Sequence, residues 1–206
     1  MKILLILFLF TTCEVSAQEI ENFSASRPKS TEEVRSFEDS LGAVSEGYHS
    51  FRPYFDERFE DMIPNVKPKA LIFERADSEF FPALHTWYFF DSDSLVRGFY
   101  YNWGFYNPSF NPSENKEILE QQNNRKDDYI AHYEEVLHKL EGMIGKPTKE
   151  EAIQRSRKKV VRMAIWDKEN YRTVLELNFD PSLKTLPGTD FFVGGESHVK
   201  VITFYK

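Results

Sequence analysis

Few side chains in this sequence stand at spacings that chemistry requires. His132 and His138 flank Glu134 and Glu135. Six residues of helix turn through about 600°, which leaves the two imidazoles about 120° apart. A shared metal ion needs histidines on one helical face, as a spacing of four around a glutamate provides. The pair therefore reads as two solvated or core-edge histidines. His198 follows Gly194-Gly195-Glu196-Ser197, and His85 shares a strand face with Trp87 and Phe89. Either histidine, joined to Ser197 or Ser92 and a carboxylate, would make a hydrolytic triad. No G-x-S-x-G elbow supports one, and serines in such stretches serve turn geometry. Asp91-Ser92-Asp93-Ser94 places oxygens at alternating positions, but Leu95-Val96-Arg97 follow where a calcium loop needs glycine and a bidentate glutamate. That run reads as a turn, and no paired carboxylates for glycoside cleavage can be assigned. These residues name no catalytic group, no metal ligand and no cofactor.

The more suggestive chemistry is aromatic. Trp87, Tyr88, Phe89 and Phe90, then Phe99, Tyr100, Tyr101, Trp103, Phe105 and Tyr106, place rings on both faces of one hairpin. Such a hairpin has both faces covered, or leaves one as a contact surface. The bland alternative is that helices cover one face and the Tyr48 to Phe59 segment the other. On the contact reading, Trp87, Tyr101 and Trp103 are the ligand-binding residues, and the occupant is a protein, peptide or glycan that stacks on rings.

Several elements must hold these residues. Ser30-Thr31-Glu32-Glu33 matches a capping box, so a helix starts there. Val34, Phe37, Leu41 and Val44 recur at helical spacing and Gly47 supplies a stop. The stretch from Tyr48 to Lys69 sustains neither period and reads as an irregular connection. Leu71-Ile72-Phe73 is strand-like. Leu84 to Phe90 and Leu95 to Trp103 form the aromatic hairpin about Asp91 to Ser94. Asn111-Pro112 opens a second helical stretch whose polar middle, Gln121 to Asp128, predicts a break. Tyr129, Tyr133, Val136, Leu137, Leu140, Met143 and Ile144 then give one apolar face, ended by Gly145 and Pro147. Val160 to Trp166 and Tyr171 to Phe179 read as a second hairpin. Apolar residues alternate cleanly from Tyr171 to Phe179, with Arg172, Glu176 and Asn178 on a wet side. His198 to Tyr205 makes a last strand.

At the N-terminus, Lys2 precedes an unbroken apolar run from Ile3 to Phe10, and Val15-Ser16-Ala17 offers small residues to a signal peptidase. A membrane span needs about 20 apolar residues, so this run is a signal core and not a transmembrane segment. Residues 1–17 are expected to be removed and residues 18–29 to form a flexible leader. Cys13, the only cysteine, follows Phe10-Thr11-Thr12 and lacks the small residue that lipid attachment favours, so it is expected to leave with the signal and not to serve as a lipid anchor. Removal of Lys2 and Glu14 together keeps the net charge at -7. An acidic surface argues against nucleic-acid binding, and the basic run Arg155 to Lys159 reads as a solvated face.

Residues 30–206 have no linker-like break and are expected to fold as a single α+β domain without disulfides. The expected architecture is an antiparallel sheet of about six strands in two groups, with two amphipathic helices packed on one face. The expected role is that of an exported, secreted or periplasmic, non-enzymatic domain that binds a partner through its aromatic sheet face. Two rival roles are a secreted hydrolase with dispersed site residues and an envelope assembly or maintenance factor.

Overall fold

The computed structural model describes residues 29–50, 57–64, 66–76, 83–104, 120–153, 159–185, 192–194 and 197–206. The expected signal, the leader up to residue 28, the Asn111-Pro112 cap, Phe105, Tyr106 and the basic run from Arg155 to Lys158 lie outside the described residues.

Helix α1, Thr31–Ser40, begins where its cap demands. Ser30 Oγ accepts the Glu33 backbone N–H at 3.3 Å, and Glu33 Oε2 accepts the Ser30 N–H at 2.7 Å. Each contact satisfies a backbone donor that helical geometry would otherwise strand. The helix ends sooner than the apolar spacing suggests, because Gly42 takes a left-handed φ of 71° and reverses the chain. Val44 therefore opens a strand, β1 (Val44–Ser50), and is 68 % exposed.

A 3-10 turn at Glu57–Phe59 leads to β2 (Lys69–Arg75), β3 (Leu84–Phe90) and β4 (Val96–Gly104). Asp91 builds the β3–β4 turn by accepting the N–H groups of Asp93 at 2.9 Å and Leu95 at 3.0 Å, and Arg97 Nε at 3.0 Å. Burial disfavours its charge, but these donors outweigh that cost and hold its carboxyl below the usual range. Helix α2, Lys126–Ile144, starts after the break at Asn124 and Arg125 and buries Tyr129, Tyr133, Val136, Leu137 and Leu140. Past it come β5 (Lys149–Ile153), β6 (Val160–Asp167), β7 (Tyr171–Phe179), the small pair β8 (Leu183–Thr185) and β9 (Phe192–Gly194), and β10 (His198–Tyr205).

The strand order β1-β2-β3-β4-β10-β7-β6-β5 makes one sheet of eight strands, antiparallel throughout. This corrects the expected α+β sheet of about six strands in two groups with two helices on one face: the protein is mainly β, in one continuous sheet. The cause is β10, which pairs residue by residue with β4 on one side and β7 on the other, and so joins two meanders into one surface. The second correction concerns coverage, since a third helical element lies against the opposite side of the sheet.

On the first side, Val34 and the stripe of α2 close over Leu71, Phe73, Tyr88, Phe99, Tyr101, Leu175, Leu177, Val199 and Val201. On the second, Phe59 and Met62 close over Ala70, Ile72, Trp87, Phe89, Val174 and Phe204. Arg172 pins that cover by donating to the Arg58 carbonyl and to Asp61 Oδ1 at 3.1 Å. Gly98 lets the Phe204 ring lie flat on β4, since a Cβ there would stand 2.4 Å from the ring. No helix among the described residues is long and apolar enough to cross a membrane.

Candidate ligand-binding basin on the second sheet face

Strand alternation sends every second residue to the second face. Register then aligns those residues across neighbouring strands. One row runs Glu74, His85, Asn102, Lys200, Glu176, Met163, Glu151, one residue from each of seven strands. Six of the seven are polar. The next row towards the sheet centre is Ile72, Trp87, Tyr100, Ile202, Val174, Ile165, and the cover formed by Phe59 and Met62 packs there. Beyond the cover's edge the face changes from apolar to polar.

Glu176 is the centre of this band. Its Oε2 accepts from Arg58 Nη2 at 2.7 Å, its Oε1 lies 2.9 Å from Lys200 Nζ, and the same oxygen is 3.3 Å from His198 Nε2. Burial disfavours the carboxylate, but the His198 hydrogen bond and the Lys200 and Arg58 charges hold its carboxyl well below the usual range. A cavity of about 360 Å³ opens beside it, lined by Arg58, Glu151, Lys159, Val161, Met163, Glu176 and Asn178. Two strands away, Asn102 Oδ1 is buried and has no hydrogen-bond partner among the described residues. An amide oxygen withdrawn from water without a partner carries a penalty of about 1–3 kcal/mol.

A second carboxylate–arginine cluster lies on the first face and has a different character. Glu38 of α1 is wholly buried and accepts Arg75 Nε and Nη2 at 2.7 Å each, Thr86 Oγ1 at 3.2 Å, and the Tyr88 hydroxyl. Arg75 also lies over the Phe37 and Tyr101 rings. Burial lowers an arginine's affinity for its proton, but the Glu38 hydrogen bond reverses this and the guanidinium pKa is raised. Burial likewise pushes the Tyr101 hydroxyl up to about 12. The described residues occupy this carboxylate on both oxygens, so the cluster ties α1 to the sheet.

The three aromatic residues singled out from sequence are interior. Tyr101 is 1 % exposed in the first core, and Trp103, also on that face, packs edge-on against His132 at 4.7 Å. Trp87 is buried in the second core, edge-on to Tyr100 at 5.4 Å. The rings are brought into two separate layers and form no common surface. Ser197 does not meet His198, since adjacent residues of an extended chain project to opposite sides. Its Oγ instead accepts the Asp180 N–H at 3.2 Å. Ser92 is exposed at the hairpin turn, and His138 is exposed with its Nδ1 2.8 Å from the Glu134 carbonyl.

Lys200, Asn102 and Arg58 were not named from sequence, and Glu176 was named only as part of the wet side of its strand. A usable signal did exist: polar residues at alternate positions inside otherwise apolar strands, Glu176 between Leu175 and Leu177 and Lys200 between Val199 and Val201. What the sequence lacks is the register that places them side by side. With this geometry in hand, comparison with known proteins gives no further guide: no protein-family model, no curated protein and no solved structure matches the chain.

Proposed function

We propose that this is an exported, non-enzymatic binding domain whose ligand lies in the basin on the second sheet face, and that the ligand is an acidic sugar or a short acidic glycan. The polar row across the sheet carries this reading. Polar groups withdrawn into a sheet face cost free energy and contribute little to folding, so a row of them beside an open cavity is best explained by an occupant.

The ligand class follows from the donors and acceptors. Arg58, Lys200 and His198 converge on one carboxylate, and Lys159 adds a further cation, paired with Asp180, at the cavity wall. Lys200 has three N–H donors and spends one on Glu176. An anionic group on the ligand meets that surplus. The Asn102 oxygen asks for a donor such as a hydroxyl. Neighbouring strands are about 4.8 Å apart, so Glu176 and Asn102 are separated by about 10 Å, the reach of one or two sugar rings.

One contact favours the hydrolase reading, His198 Nε2 within 3.3 Å of Glu176 Oε1. Histidine bases are oriented and made more basic by a carboxylate whose charge is available to them. The Glu176 charge is already shared with Arg58 and Lys200, and this weakens it in that role.

Thermal-shift measurements with glucuronic acid, glucose and succinate test the proposal. Glucuronic acid is expected to raise the melting midpoint more than either control, and Lys200→Met is expected to abolish the rise. Equal shifts from all three, or a rise that survives Lys200→Met and Asn102→Ala together, overturns it. The exported address rests on the N-terminal pattern and has its own test. Mass spectrometry of the mature protein is expected to find Gln18, free or cyclised, as the first residue, and a chain that keeps Met1 overturns that part.

A further inference from the structure

At the other end of the polar row, three strands bring together a different set of donors. Glu46 of β1, Glu74 of β2 and His85 of β3 each offer one ligand atom, and the three atoms lie within 4.8 Å of one another. His85 is 93 % buried by its surroundings, with only 7 % of its surface exposed, and turns Nδ1 toward Glu46 Oε1 at 3.6 Å. That separation is too long for a hydrogen bond and suits two atoms that share an ion between them.

We infer that Glu46, Glu74 and His85 form a binding site for a divalent transition-metal ion, with Zn²⁺ the probe that suits the donors best. The backbone is shaped for it. The β1–β2 register passes from Ser45↔Phe73 to Gly47↔Ile72, so Glu46 is the extra residue of a β-bulge, and Gly47 follows in a left-handed conformation with φ of 84°. Bulges of this kind re-aim a side chain, and here Glu46 reaches across β2 to a histidine on β3. Glu74 and His85 are direct cross-strand partners, so their side chains already lie on one face.

The donor chemistry selects among metals. One imidazole nitrogen and two carboxylate oxygens suit zinc and its first-row neighbours better than calcium or magnesium, which take oxygen alone. Zinc bonds of about 2.0–2.2 Å place ligand atoms about 3.3 Å apart, so a set lying within 4.8 Å must close by up to about 1.5 Å. Glu46, half-buried, and Glu74, exposed, can supply that movement because both side chains are unbranched, while the buried ring stays fixed. Three protein ligands leave at least one position for water or another ligand. The ion would tie the edge strand to the two strands beside it.

Titration calorimetry with zinc chloride on the tag-free full chain tests this, with magnesium chloride as control. The expected result is one Zn²⁺ per chain with micromolar or tighter affinity, and no magnesium heat at the same concentrations. Because neither Glu46 nor Glu74 belongs to the buried core, Glu46→Gln and Glu74→Gln are expected to keep the fold, judged by circular dichroism, while each weakens zinc at least tenfold. Bound zinc also raises the melting midpoint, by about 5–10 °C at a free concentration a hundredfold above Kd. Zinc binding that is absent, that survives both glutamine variants, or that disappears instead in His49→Ala or His138→Ala overturns the proposal. Glu74 and His85 belong to the same polar row, but the site uses none of Arg58, Asn102, Glu176, His198 and Lys200, so failure of zinc binding leaves the glucuronic acid test unchanged.

Discussion

The two faces of the sheet each hold a carboxylate against an arginine, and the pairs do different work. Glu38 has no exposed surface, and its oxygens take up two arginine N–H groups, a threonine hydroxyl and a tyrosine hydroxyl. Glu176 keeps 16 % of its side chain exposed, gathers two cations and a histidine, and faces a cavity of about 360 Å³. A closed network has nothing left to offer a ligand; an open one with surplus charge has. Ion-pair geometry alone therefore fails to separate a structural cluster from a binding one. The useful distinctions are what else touches the pair and whether solvent can reach it.

The largest effect is expected when one partner of the closed pair is removed. Arg75→Met strands the buried Glu38 carboxylate, and an unfolding free energy lower by about 3–5 kcal/mol is expected from urea denaturation. A change below about 1 kcal/mol would mean that the first face tolerates the loss and that the contrast is misdrawn. Next in size is Gly98→Ala on the second face, where the new methyl must displace the Phe204 ring. Overpacking of this kind is expected to cost about 2 kcal/mol, read as an earlier thermal midpoint with β10 amides exchanging faster.

The open pair is sharpened by pH. The folded-state pKa of Glu176 lies below its ordinary value, so its contribution is fully present above the unfolded value of about 4.3 and is lost as pH falls through the acid range. Wild-type stability between about pH 5 and pH 2 is therefore expected to fall more steeply than that of Glu176→Gln, by on the order of 1–2 kcal/mol over the interval. Parallel acid profiles would remove Glu176 from the account. The smallest effect belongs to the helix that carries Glu38. Ser30→Ala deletes one half of the α1 capping box and is expected to cost about 1 kcal/mol in denaturant, with the sheet unaffected.

Local chemistry was legible in the sequence where it was self-contained. The capping box at Ser30 and Glu33, the turn built on Asp91, and the α2 stripe from Tyr129 to Leu140 each depend on residues a few positions apart. The edge strands were not legible. β1 carries Val44, Ser45, Glu46, Gly47, Tyr48 and His49 with no alternating pattern, because neither side of an exposed edge strand has to be apolar. Val44 even completed a false helical stripe, which the left-handed Gly42 interrupts. β5, at the opposite edge, begins with lysine and two glutamates and lacks an alternating pattern for the same reason.

For the aromatic residues, the alternative in which both faces of the hairpin are covered describes the packing. The hairpin does have rings on both faces, but a sheet with cover on both sides buries both sets, and the cover over Trp87 comes from Phe59 and Met62 in a stretch without periodicity. The basin was invisible because its members are spread from Arg58 to Lys200 and meet only through the β10 register. That pairing cannot be derived from strand patterns, since β10 is last in the chain and central in the sheet.

The contrast between the faces is tested most directly by amide NMR during a titration with glucuronic acid. The account predicts that shifts concentrate at Arg58, Asn102, Glu176, Asn178, His198 and Lys200, while the amides of Glu38, Arg75, Tyr88 and Tyr101 stay unchanged. Shifts centred on the Glu38 network, or no saturable shift at any of the basin residues, would contradict it.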